Sequence, residues 1–227
     1  MAVVMFSVFT WSSAAGLESI DLHNGLVWIG NPPYVPASIE GAPTGAPSPI
    51  LNTIAVSFPI LISGPLYFVP ELGLFGTQYG LVAGFDKTVP VEREYADAIW
   101  FLGALVELGL WLDFNLSSAI SLGLELGASF LGRIPMFPWG DGWEQLDSMA
   151  AYLYGAGRFV YPSAGILFSW GPETTDGIEI ALRTKAYVPI FHFWDGEGSD
   201  FIDQFMIKIS VGVRFLTTPR SEGETET

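Results

Sequence analysis

Along residues 205–215, Phe-Met-Ile-Lys-Ile-Ser-Val-Gly-Val-Arg-Phe, apolar and polar positions alternate with a period of two. Phe205, Ile207, Ile209, Val211, Val213 and Phe215 form one set; Lys208, Ser210, Gly212 and Arg214 belong to the other. Successive side chains of a β-strand point to opposite faces, so this period predicts a strand with one greasy and one polar side.

Seven more segments share the period, with varying regularity. Residues 20–30 are the weakest, with Leu22, Leu26 and Trp28 opposed to Asp21 and His23. In 51–61, Ile54, Val56, Phe58 and Ile60 alternate with Thr53, Ala55 and Ser57; in 66–79, Leu66, Phe68, Leu72 and Leu74 oppose Tyr67, Glu71 and Thr77. Residues 96–112 set Trp100, Leu102, Ala104, Val106, Leu108 and Leu110 against Glu107, and 118–131 set Ile120, Leu122, Leu124, Leu126 and Phe130 against Ser121, Gly123, Glu125, Gly127 and Ser129. Residues 150–170 read as one long strand, bent near Pro162 and Gly165, with Arg158 beside Tyr152 and Tyr154. In 178–190, Ile178, Ile180, Leu182, Ala186 and Val188 oppose Glu179, Arg183, Lys185 and Tyr187.

Eight strands follow, joined by connections that alternate long and short. Residues 31–49, 80–95, 132–149 and 191–202 are the long ones, and short turns fall near Gly64, Asp113–Ser117 and 171–177. An even number of strands, apolar outside and polar inside, predicts an all-β fold: an eight-stranded antiparallel transmembrane β-barrel. It would have short periplasmic turns, four longer extracellular loops and both termini in the periplasm. A helical span over 98–116 competes for the same apolar stretch. Glu107 at its middle, Gly103 and Gly109 within it, and flanks without a Lys/Arg cluster favour the strand.

Composition agrees. Half the residues are hydrophobic and the mean hydropathy is +0.41, high for a water-soluble domain. A net charge of −15 with no basic patch excludes nucleic acid as a partner. Cysteine is absent, which removes disulfides and thiolate metal sites. Residues 1–15 have an apolar core followed by Ser12, Ser13, Ala14 and Ala15, as in a signal peptide that lacks its basic start. The domain reading is therefore a signal peptide at 1–15, a barrel at 16–216 and a polar periplasmic tail at 217–227.

The inward set predicts the interior chemistry. Glu71, Glu107, Glu125 and Glu179 face Arg158, Arg183, Lys185, Lys208 and Arg214 in a lumen barely wide enough for its own side chains. Such charges either satisfy one another as a network or line a narrow polar path. Only two histidines occur, His23 and His192, without a ligand cluster, so no metal and no cofactor are expected. His192 has no serine two residues on, as barrel deacylases do, and the chain reads as non-enzymatic. Trp28, Trp100, Trp170, Phe191, Phe193 and Trp194 fall near strand ends, at headgroup depth. Met136, Phe137, Trp139 and Trp143 make an apolar loop that could cover the mouth, contact lipid or meet a partner.

By this pattern the chain resembles the small eight-stranded bacterial outer-membrane proteins of the OmpW, OmpA and OmpX kind. Residues 208–215, Lys-Ile-Ser-Val-Gly-Val-Arg-Phe, resemble the terminal-strand signal read by the barrel-assembly machinery, although here the chain continues past the final aromatic. The resemblance implies outer-membrane lipid as solvent and the assembly machinery as a partner during biogenesis. OmpW-like proteins are the first choice, which implies a porin-like conduit or binding barrel for small, apolar solutes. A second expectation is an adhesin that meets a host or surface partner through its loops. A lipid-modifying barrel enzyme is third.

Overall fold

The computed structural model describes residues 16–31, 49–82, 87–91, 98–138, 140–171, 177–193 and 202–217. The predicted signal segment lies outside them, as do Trp139, Trp194 and all of the polar tail except Thr217.

Ten strands build one sheet: β1 (Ser19–Ile29), β2 (Ile50–Ser57), β3 (Ile60–Ser63), β4 (Leu66–Val82), β5 (Lys87–Pro90), β6 (Ala98–Asn115), β7 (Ile120–Pro138), β8 (Val160–Trp170), β9 (Ile178–Tyr187) and β10 (Met206–Leu216). Every pairing is antiparallel, β4 pairs β2 and β6 as well as β3 and β5, and β10 returns to β1 over eleven register pairs, from Ser19↔Leu216 to Ile29↔Met206. β2 and β3 are one stave, broken at Phe58–Pro59 because Pro59 has no N–H to give the ladder; both halves pair β4. β5 is a short arm folded onto the upper end of β4. The result is a closed barrel of eight staves, as predicted.

Its geometry can be read from register alone. Starting at Asn115 on β6 and stepping across Ser121, Ser169, Ala181, Gly212, His23, Ala55 and Gly73, the path returns to β6 at Leu105, ten residues from its start. A stagger of ten over eight strands tilts them by about 40–45° and leaves an interior that side chains fill.

The two faces are chemically opposite. Among the described residues no outward position on the eight staves is charged, and large apolar side chains stand exposed, Leu126 at 69%. In water that surface would be untenable; in hydrocarbon it is the solvent-facing surface. Inward positions hold the buried acids and bases. Even 20–30, the least regular segment in sequence, forms a full stave that pairs on both sides.

Three segments depart from the expected pattern. Residues 80–95 are not a loop throughout, because β4 runs on to Val82 and Lys87–Pro90 folds back on it as β5. Residues 150–170 are not one bent strand. Helix α1 (Leu146–Tyr154) is followed by a tight turn with positive φ at Ala156 and Gly157, and only then does β8 begin. Leu146, Met149, Ala150 and Leu153 recur at helical spacing, and Met149 and Leu153 are fully buried. The alternating tyrosines Tyr152 and Tyr154 disguised that period. Residues 132–149 are not a loop throughout either, because β7 runs on to Pro138 past a bulge at Trp100/Phe101.

The barrel is therefore uneven at its mouth. β8 pairs β7 only as far as Phe130, while β4, β6 and β7 continue upward, joined by β5. Seven ladder positions beyond Phe130, at about 3.4 Å each on tilted strands, raise this wall by about 17 Å. Helix α1 packs on its inner side, where Met149 and Leu153 join Tyr79, Ile99 and Phe101.

Candidate functional site

The interior divides into a charged belt and a mouth hub. At the centre of the belt, like charges are neighbours along the wall and opposites meet across the lumen; toward the turns, Arg214 has the acids Asp21 and Glu179 as its register partners. Glu71 and Glu107 are direct register partners on β4 and β6, and Lys185 and Lys208 are direct partners on β9 and β10. Like charges paired this way would destabilise an open sheet. Closing the barrel reverses the effect, since the acidic wall of β4, β6 and β7 then faces the basic wall of β9 and β10.

Lys185 Nζ donates to Glu125 Oε1 at 2.7 Å, Glu107 Oε2 at 2.8 Å and Glu71 Oε2 at 3.3 Å. Lys208 donates to Glu107 Oε1 at 2.9 Å and also to Glu71, while Tyr187 donates its hydroxyl to Glu107 at 2.8 Å. Arg183 donates to Glu71 and lies 3.8 Å from Asp21 and 3.9 Å from Glu125. Toward the turns, Arg214 clasps Asp21 through Nε and Nη2 at 3.1 Å and reaches Glu179 at 3.3 Å. Its guanidinium also lies 4.5 Å over the Trp111 ring. All nine charged side chains are buried.

Glycine makes room for this packing. A Cβ at Gly123 would fall 1.8 Å from Trp111 Nε1, and one at Gly212 2.3 Å from His23 Nδ1, so the wall is bare where a neighbouring ring lies across it.

Eight of the nine residues predicted for the lumen are therefore brought together: Glu71, Glu107, Glu125, Glu179, Arg183, Lys185, Lys208 and Arg214. Arg158 is not among them. It sits after α1, in the connection to β8, with its guanidinium 4.3 Å over Tyr152 and 4.9 Å over Phe191. Phe191 is likewise buried under the cap instead of lying at headgroup level, whereas Phe193 is exposed. Asp21 joins the eight as a ninth charge, from the segment whose alternation is the weakest in the sequence.

Arg133 forms the hub above an apolar layer of Val27, Phe75, Leu105, Leu131 and Met206. It donates to Tyr161 OH at 3.0 Å, Tyr79 OH at 3.1 Å, Leu153 O at 3.4 Å and Gln204 Oε1 at 3.4 Å. Its own backbone is capped by Tyr154, whose hydroxyl accepts from Arg133 N at 2.7 Å and donates to Arg133 O at 2.9 Å. That hydroxyl satisfies the β7 edge where β8 has ended. Pro135 concealed Arg133 in sequence, although it continues the inward series Ser129, Leu131.

The Ser/His possibility has a geometric answer at one place. Ser57 Oγ lies 3.5 Å from His23 Nε2, and Asp21 lies 4.0 Å from the same nitrogen. A relay needs the carboxylate on the opposite ring nitrogen, so these residues are not arranged as a hydrolytic triad. His192 bonds the Asp203 carbonyl at 2.8 Å. At the lip, Met136, Phe137 and Trp143 are exposed, and the Phe137 ring lies 6.0 Å from that of Trp100. Among the described residues no group of His, Asp or Glu is arranged to hold a metal.

The closed antiparallel ladder, apolar exterior and ion-paired interior define the class: an eight-stranded barrel with the outer-membrane fold. No family model and no curated protein sequence matches the chain. Solved structures are similar in shape only. Neisserial surface protein A is 10% identical over 89% of this chain and 99% of that one, with a TM-score of 0.49. Ail, the attachment invasion locus protein of Yersinia pestis, solved with the heparin analogue sucrose octasulfate, is 9% identical over 88% and 98%, with a TM-score of 0.42. A de novo designed transmembrane β-barrel is 8% identical over 88% and 97%, with a TM-score of 0.39. The fold assignment rests on the hydrogen-bond ladder, not on these likenesses.

Proposed function

We propose that the chain is a non-enzymatic barrel of the bacterial outer membrane whose work is done at its loop-bearing end, as a surface interaction protein. The short turns and both termini face the periplasm; the long connections and the raised wall face outward. The observation that carries this reading is the filled interior. Oppositely charged walls bond across the lumen, an apolar layer lies above them, and α1 packs over that. What remains for contact is the outer lip, where Met136, Phe137 and Trp143 expose apolar surface that a soluble or lipid partner could cover.

Planar-bilayer recording and liposome swelling with the purified barrel test this. No conductance and no swelling are expected; steady unitary currents would sink the reading. Loss of surface binding in a Phe137→Ser/Trp143→Ala variant that still folds would locate the contact.

One observation favours an OmpW-like conduit for small apolar solutes. The recess beneath α1 is lined by Tyr79, Ile99 and Phe101, so raising the helix would expose an apolar site at the mouth. Tethering α1 to the wall by a Leu153→Cys/Phe101→Cys disulfide separates the two readings. Solute uptake abolished by the tether would support the conduit, and uptake indifferent to it would count against it.

A further inference from the structure

The outer face of β1 presents Ile20, Leu22, Asn24, Leu26 and Trp28. Asn24 is the middle one of the five, so it lies deep in the apolar band, with Trp28 at the rim. On β2, Asn52 also points outward, and its Nδ2 donates to Asn24 Oδ1 at 3.5 Å. Both side chains are exposed. Two primary amides offer four N–H donors and two carbonyl oxygens, and among the described residues this long bond is the one they make. In hydrocarbon each unmet group is costly, because lipid tails supply no partner. Elsewhere the exterior is almost wholly apolar at this depth, so the amide pair is a local anomaly.

We propose that this β1–β2 face docks against a second copy of the chain within the membrane, with the Asn24–Asn52 pair meeting its counterpart across a two-fold axis. An amide is both donor and acceptor and is therefore complementary to itself, as an isologous interface requires. Around the pair stand Leu22, Leu26, Ile54 and Val56, which are apolar and uncharged, so two copies of this strongly acidic chain can meet here without repulsion. A cationic or anionic partner would find no counter-charge on the same face.

The absence of cysteine in the chain makes the test direct. Leu26→Cys places a single thiol beside the amide pair, and Leu126→Cys places one on β7, diametrically opposite by strand order. In lipid vesicles or native membranes under mild oxidation, Leu26→Cys is expected to give a disulfide-linked dimer and Leu126→Cys to give little. Adding Asn24→Leu and Asn52→Leu to Leu26→Cys should lower dimer formation by about threefold to tenfold. The same two substitutions should leave the barrel folded and raise its resistance to urea, since they remove polar groups from the lipid face. Equal cross-linking at both positions, cross-linking unaffected by the asparagine substitutions, or a product with the mass of a different protein would each overturn the proposal. Because none of these outcomes depends on conductance or loop binding, failure here is distinct from failure of the surface-protein reading.

Discussion

The belt and the hub both bury cations inside the same barrel, and they satisfy them differently. Lys185 is surrounded by three carboxylates from the far wall, whereas Arg133 is held by two phenols, an amide and a backbone carbonyl. Around Lys185 and Lys208, charge pairs with charge across the lumen, so each bond there ties one wall to the other, whereas Arg214 pairs along the wall with its register partners Asp21 and Glu179. At the hub, one cation collects neutral groups from β4, α1, β8 and the 202–204 turn, so its bonds tie the cap to the barrel. The first arrangement closes the cylinder; the second fastens what sits on top of it.

Removing the belt's central cation should produce the largest effect. Lys185→Met leaves Glu71, Glu107 and Glu125 converging without their shared partner and is expected to cost about 3–5 kcal/mol. Reversible urea unfolding in lipid vesicles measures it; a loss under about 1 kcal/mol would erase the distinction between belt and hub. Arg133→Met should cost less, about 1–3 kcal/mol, because its partners are neutral and Tyr161 OH can keep its 3.3 Å bond to Gln204. The loss should be local. Limited proteolysis would then cut the segment from Leu146 to Gly157 in a still-folded barrel, which Lys185→Met should not allow.

Tyr154→Phe sharpens the hub further. It deletes the hydroxyl that caps both backbone groups of Arg133 and should weaken that point by about 1–2 kcal/mol. Hydrogen exchange at the Arg133 amide should rise while belt amides stay protected; equal protection in both variants would show that water replaces the hydroxyl at no loss. The smallest effect belongs to pH. Burial, with Asp203 nearby, pushes the Tyr152 phenol above its ordinary value near 10. A raised phenol pKa favours the closed cap below pH 10, and that contribution fades as pH rises beyond it. Protease sensitivity of the cap should therefore climb above about pH 10 in the native chain and climb less in Tyr152→Phe.

Much of the belt is legible in the alternation of the sequence alone. A two-residue period is unambiguous where apolar positions are Leu, Ile and Val and polar ones are Glu, Lys and Arg, as in 118–131 and 205–215. Legibility failed where a second period overlapped the first. Tyr152 and Tyr154 alternate while Leu146, Met149 and Leu153 repeat at helical spacing, and the tertiary surface of the raised wall selects the helix by burying Met149 and Leu153. Arg158 shared a face with the tyrosines only in the strand that does not form. Arg133 was hidden by Pro135, which looks like a loop residue but sits on an edge where its missing N–H is harmless.

What the sequence determines by itself is the alternation, and with it the sidedness of every stave: side-chain direction follows from backbone geometry at each residue, independent of distant contacts. It also determines the sign of each lumen charge. Which acid meets which base at the centre of the belt was decided only by closure. A stagger of ten residues brings Glu71 and Glu107 opposite Lys185 and Lys208, and no local rule contains that number. The uneven rim, the helix against its inner face and the amide pair shared by β1 and β2 are likewise products of register, because each depends on how far one strand outlasts or offsets its neighbour.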